Sequence, residues 1–281
     1  MRYQNIDTAK KTVWIVLLLS LSLSISPVVL AHGNLHPQIE AVSKQLKQQP
    51  NDMDLLLRRA VLWSKHGELD KALRDVKQVL QNNPSSGFAL LLSGRLKRDQ
   101  QDYANAVLFA NRFITLFPKQ AKGYLLRASI MQNMANKAAN AISDYSTAIR
   151  LLKHPRPELF LQRADLQLQQ KNGVDLTLQQ LAVARERYGF LYVLQKRAFD
   201  IANAAEHFSA AITLAIDITA HMQRKEQWLK RQGDVQQAMG DNKSAQQSYL
   251  AAQAAIKQLP QRLQRHTDML SLQQELMVLI K

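Results

Sequence analysis

Two sets of side chains in this sequence could do chemistry. His32 and His36 are the closest pair among seven histidines. If the chain is cut after Ala31, the new amine of His32 and the two imidazoles could ligate copper or zinc. Two imidazoles are few for a metal site, and a polar, exported N-terminus accounts for the same residues. The second set is a recurrent arginine. Arg59, Arg127, Arg163 and Arg197 each precede a small residue, and Arg231 stands two before Gly233. Such a series could form a ladder for phosphate. It could equally lie along its helices and pair with neighbouring carboxylates or helix C-termini. Nothing else resembles an active site. There is no Gly-rich phosphate loop, no Gly-x-Ser-x-Gly elbow and no His-Glu-x-x-His. The expectation is a non-enzymatic protein without a cofactor.

The elements that carry these residues recur at a fixed interval. Ala60, Gly94 and Ala128 are 34 residues apart, as are Pro84 and Pro118. Residues 55–65 are apolar at helical spacing, with Leu56, Ala60 and Trp63 on one face. Gly67 ends that helix, because glycine takes the left-handed C-cap conformation at least cost. A second helix is expected over 70–81, with Ala72, Val76, Val79 and Leu80 inward, and Pro84 stops it. Ala60 and Ala72 are short enough for the two helices to approach closely. A period of this length indicates stacked helix–turn–helix units.

The pattern resembles the tetratricopeptide repeat, whose 34-residue unit has small residues at positions 8 and 20, Gly near 15, Ala at 27 and Pro near 32. The first unit supplies Leu56, Ala60, Gly67, Ala72, Val76, Val79 and Pro84. The position-8 residues run Ala60, Gly94, Ala128, Ala164, Ala198, Gly233, at spacings of 34, 34, 36, 34 and 35. The resemblance implies an all-α, right-handed solenoid of antiparallel helix pairs. Residues 1–31 read as a signal peptide and 32–52 as a half repeat. Three units follow in 53–156, two degenerate ones in 157–224 and a last in 225–260, before a capping helix in 261–281. In that final helix Thr267 is the expected cap, with Met269, Leu272, Leu276 and Leu279 on one face.

In this family the first helix of each unit lines the concave face. Carried over, the resemblance places Leu57, Leu91, Leu125 and Leu161 in one column. Phe88, Arg95, Arg98 and Lys122 lie around it, and Tyr192, Phe199, Lys230 and Asp234 stand at further inner positions. Such a groove, apolar in part and balanced in charge, suits a protein or peptide partner. The alternative is that the leucine column packs between helices as core. Leu57 and Val61 occupy the places where chaperone-binding repeats carry Lys and Asn, so a chaperone tail is not an expected ligand.

The chain has 37 Lys and Arg against 22 Asp and Glu, a formal charge of +15. That charge attracts anionic partners in a salt-dependent way. The N-terminus argues against nucleic acid. Arg2, Lys10 and Lys11 precede an apolar run from Val13 to Ile25, and Val29-Leu30-Ala31 forms a cleavage site. An uncleaved anchor in the inner membrane is the alternative. The expectation is a periplasmic protein, with an anionic membrane surface as a possible peripheral contact. Without cysteine, no disulfide supports the fold.

Overall fold

The computed structural model describes residues 35–280. The signal segment, its cleavage site and His32 lie outside them. Among the described residues there are fifteen helices and no strand. The chain divides after Leu92 into two compact units, and each is described by itself.

In the first unit, α1 (Leu35–Gln48) packs on α2 (Met53–Lys65), which pairs with α3 (Leu69–Asn82). Ile39, Val42 and Leu46 form the buried face of α1, as a half repeat requires. Asp52 caps α2 by accepting the Leu55 N–H at 2.9 Å. Ala60, Ala72, Val76 and Val79 are fully buried, and Leu80 is half-buried. Trp63 departs from its expected inward position. Leu62 takes the buried place, while Trp63 is half-buried with the Lys71 ammonium 4.6 Å from its ring centre. α4 (Gly87–Asp99) carries the division between the units.

The second unit continues with α5 (Tyr103–Leu116), α6 (Ala121–Met131), α7 (Ala138–Leu151), α8 (Pro157–Leu168) and α9 (Gly173–Tyr188). After these come α10 (Tyr192–Ala204), α11 (Phe208–His221), α12 (Glu226–Ala238), α13 (Asn242–Lys257), the short α14 (Gln261–Gln264) and α15 (Thr267–Leu279). Consecutive helices pack as pairs: α6 with α7, α8 with α9, α10 with α11 and α12 with α13.

The turn inside each pair explains why some units look degenerate. Gly67 and Gly240 adopt φ of +86° and +88°. Gln101, Asn136, Asn172 and Glu206 adopt φ of 58–61°. The six positions are 34 to 36 residues apart, so every unit makes its left-handed turn whether or not it has glycine. In four of these turns an N–H reaches the carbonyl five residues back: Glu68 to Trp63, Asp102 to Lys97, His207 to Ala202 and Asp241 to Gln236, at 2.8–2.9 Å. Those bonds satisfy helix-end carbonyls and offset part of the strain at non-glycine residues.

Small residues mark the close approaches. A methyl group built on Gly94 would lie 2.7 Å from Leu126 Cδ2, and one on Gly233 would lie 2.4 Å from Tyr249 Cε1. In the second helices, Ala106, Ala141, Ala211 and Ala245 are buried in the second unit, and Thr177 takes this place in α9. Its hydroxyl donates to the Gly173 carbonyl at 2.6 Å, so burial leaves no donor unmet. At the end, Met269, Leu272 and Leu276 of α15 bury against Ala245, Tyr249, Ala252 and Ile256. Thr267 is the first helical residue and not the cap. His266 holds the cap position and makes no side-chain capping bond.

Candidate functional site

The arginine series resolves into three arrangements. Arg59 and Arg127 form matching clamps. Arg59 donates Nε and Nη2 to Asp75 at 2.8 and 2.7 Å, and Nη1 to Ser43 at 3.3 Å. Arg127 donates Nε and Nη2 to Asp144, both at 2.7 Å, and Nη1 to Asn111 at 2.7 Å. Each clamp ties a first helix to its own second helix and to the second helix before it. The hydrogen bond to the aspartate raises both guanidinium pKa values above the ordinary arginine value, against the opposing effect of burial. The sequence signal was available: Asp75 and Asp144 each lie three residues after a small residue of the second helix.

Arg197 and Arg231 instead bridge neighbouring first helices. Arg197 of α10 pairs with Asp165 of α8 at 2.5 Å, and Arg231 of α12 pairs with Asp200 of α10. The same face is bridged by Arg98 to Ser129 at 3.1 Å and by Lys230 to Glu275 of α15 at 3.3 Å. Burial alone would raise the Asp200 pKa, but Lys196 and Arg231 outweigh it and hold the carboxyl below its ordinary range. Of the inner-face charges, Arg98, Lys230 and Asp234 are joined in ion pairs. Arg163 is the third case: a buried guanidinium that has no carboxylate.

The residues expected to line the groove divide accordingly. Leu57, Phe88 and Leu91 belong to the first unit; Arg95, Arg98, Lys122, Leu125 and Leu161 belong to the second. Leu91 is 8% exposed and is core, whereas Phe88 is 53% exposed. Leu57 is half-buried. Leu125 and Leu161 are half-buried and pack on the cluster built around Ala128, Tyr145 and Phe160. Arg95 and Lys122 are exposed, and Arg98 is bonded to Asp99 and Ser129.

The open space on the first-helix face lies further along the second unit. A cleft of about 400 Å³ is lined by Tyr192, Arg224, Glu226, Trp228, His266 and Met269, among others. A second, of about 330 Å³, lies between α12 and α15, against Lys230, Ser271 and Glu275. Both are also lined by Gln227 and Asp268, so they adjoin. Trp228 anchors this region. Its ring meets Phe199 and Tyr192 edge-on, with centroids 5.1 and 6.1 Å apart, and Arg231 sits 4.4 Å above it. The docking of α15 creates the second cleft, which spacing alone did not indicate. On the second-helix side, a larger cleft of about 810 Å³ has walls of Leu178, Leu181, Ala182, Leu194 and Leu214. Glu186 also lines it, and two of its charged groups, Arg185 and Asp217, are paired with each other at 3.0 Å.

His36 is exposed on α1 with its ring centre 6.3 Å from that of His66. Its suggested companion His32 is outside the described residues. Among the described residues no three His, Cys, Asp or Glu side chains cluster as metal ligands would.

Comparison with solved structures gives the fold its name. The C-terminal part of a TPR repeat-containing protein from Cytophaga hutchinsonii matches with a TM-score of 0.59 and 15% identity, over 82% of this chain and 93% of that one. This chain has the tetratricopeptide-repeat fold. A chain of the Naa15/Naa10 assembly bound to HypK matches with a TM-score of 0.55 and 14% identity, over 80% of this chain and 39% of that one. PilF of Pseudomonas aeruginosa matches at 0.51 and 18%, over 75% and 91%. No protein-family model matches the chain.

Proposed function

We propose that the protein is an exported scaffold that holds a peptide segment of a partner protein on the first-helix face of its second unit, in the adjoining clefts between α10, α12 and α15. The observation that carries this is the pair of clefts around Trp228, an aromatic and mixed-charge surface whose cations are already paired. Such a surface offers a peptide apolar contact and polar rims while giving a polyanion little unpaired charge to hold. A fold relative supports the kind of work: the Naa15/Naa10 assembly is bound to HypK. Export and a place in the periplasm rest on the N-terminal sequence. Among the described residues no helix is long and apolar enough to cross a membrane.

A photo-crosslinking residue placed at Ser271, which lines the smaller cleft, should capture the partner. One placed at Ile216, exposed at 50% on α11, should not. Tyr192→Ala should then weaken capture with helix content unchanged. Capture from Ile216 alone would place the partner on the other face. Capture lost in moderate salt from every position would favour a basic surface that binds anionic lipid.

A further inference from the structure

The cleft of about 810 Å³ on the second-helix side is separate from the clefts around Trp228, with which it shares no lining residue. Its volume is that of a small-molecule site. Leu194, Gln195 and Ala198 of α10 form its floor, and α9 and α11 form its walls. The two walls run in the same direction. His207, at the N-cap of α11, lies 3.7 Å from Asp175 in the first turn of α9, and near the other ends Arg185 pairs with Asp217. The lining runs from Leu178 to Gly189 along α9 and from Ala210 to Asp217 along α11, about 16 and 10 Å of helix. That length takes an extended alkyl chain of about ten carbons, but only about three to five residues of extended peptide.

The two ends of the cleft differ. Leu178, Leu181, Ala210 and Leu214 line the first, and the Thr213 hydroxyl there is bonded to the Ser209 carbonyl at 2.9 Å. Charged side chains line only the second: Arg185, Glu186 and Asp217. Arg185 and Asp217 neutralise each other through bonds of 3.1 and 3.0 Å. Glu186 is exposed and joins no ion pair among the described residues. Arg187 stands 5.2 Å over the Tyr188 ring and does not line the cleft. His221 beside the pair bonds as a neutral ring does, Nδ1 donating to the Asp217 carbonyl at 2.8 Å and Nε2 receiving Arg185 Nη2 at 3.4 Å. α9 ends at Tyr188 and α11 at His221, so the negative ends of both helix dipoles add to the Glu186 carboxylate. On a chain of formal charge +15, this end of the cleft is a local site for a cation.

We propose that the cleft binds a cationic amphiphile, an alkyl chain lying along its leucines with an ammonium head beside Glu186. Apolar walls cover the chain, and the charge at one end sets its direction. The site is independent of the peptide surface around Trp228.

The test titrates decyltrimethylammonium, decanol and decanoate into the full chain by calorimetry, each below its micelle-forming concentration. The ammonium should bind saturably at one site and tighter than decanol, with decanoate weakest. Glu186→Gln should weaken the ammonium about two- to fivefold, the worth of one exposed ion pair, and leave decanol unchanged. Ala182 and Ala210 line the cleft and are exposed, so Ala182→Trp and Ala210→Trp fill it without entering the core. Either should abolish binding with the melting temperature of the parent, and the second keeps the test decisive if the first fails to fold. A folded tryptophan variant that binds the ammonium as the parent does would overturn the proposal. So would decanoate binding as tightly as the ammonium, or a parent that shows no saturable binding of it.

Discussion

Replacing Gly233 with alanine tests the repeat phase at its tightest crossing. The new methyl would lie 2.4, 2.6 and 3.0 Å from Tyr249 Cε1, Cδ1 and Cζ. Tyr249 cannot yield cheaply. It is 2% exposed, and its hydroxyl lies 2.8 Å from Gln237 Oε1 and 3.2 Å from Asp234 Oδ1. Overpacking of this kind costs about 1–3 kcal/mol. Turning the ring also gives up a hydrogen bond, worth about 0.5–1.5 kcal/mol. Alanine returns about 1 kcal/mol, because it forms helix better than glycine. The sum is a net loss of roughly 0.5–3.5 kcal/mol, measured by urea or thermal unfolding. A second reading is spectroscopic. Burial, with Asp234 nearby, pushes the Tyr249 pKa up to about 12, so a displaced ring should ionise at lower pH in an ultraviolet titration. In a Tyr249→Leu background the same alanine should cost much less, because the clashing ring edge is gone. If Gly233→Ala equals or exceeds the parent in stability with Tyr249 unmoved, the close crossing assigned to this position is refuted.

Two further outcomes follow from the turns and the ion pairs. Gln101→Gly removes a side chain from a residue at φ 61° and should stabilise by about 0.5–1 kcal/mol, strain relief exceeding the entropy of glycine; a loss of stability would show that the turn is not strained. Asp217 and Asp200 are held below the ordinary carboxylate range, Asp217 first by its bond to Arg185 and Asp200 by Lys196 and Arg231 against the effect of burial. As pH falls, the unfolded chain takes up these protons first, so the stability they contribute is present at neutral pH and is lost through the acid range. Melting temperature should drop between about pH 5 and pH 3, less steeply in Asp217→Asn, and an unchanged slope in that variant would remove Asp217 from the account.

The sequence by itself determined the repeat, because the repeat is written in steric requirements between near neighbours. Ala60, Ala72, Ala128, Ala141 and Gly233 are small where helices cross, and the left-handed turns keep their interval even where Asn172 or Glu206 stands in place of glycine. Met269, Leu272 and Leu276 likewise announce the buried face of the last helix. Tertiary structure alone decided which like residues become unlike. Leu91 and Leu125 hold one repeat position, yet the first is core and the second half-buried, since exposure depends on what packs over each from elsewhere in the chain. Arg59, Arg127 and Arg163 look alike in sequence. Two find an aspartate on the paired helix and the third reaches only Ser146, while Arg197 reaches Asp165, 32 residues earlier. The clefts around Trp228 exist because α15 docks beside α12, a contact between segments some thirty or more residues apart. Periodicity reports the steric demands inside each unit. A site depends on charges and surfaces brought together between units, and only the folded chain fixes those.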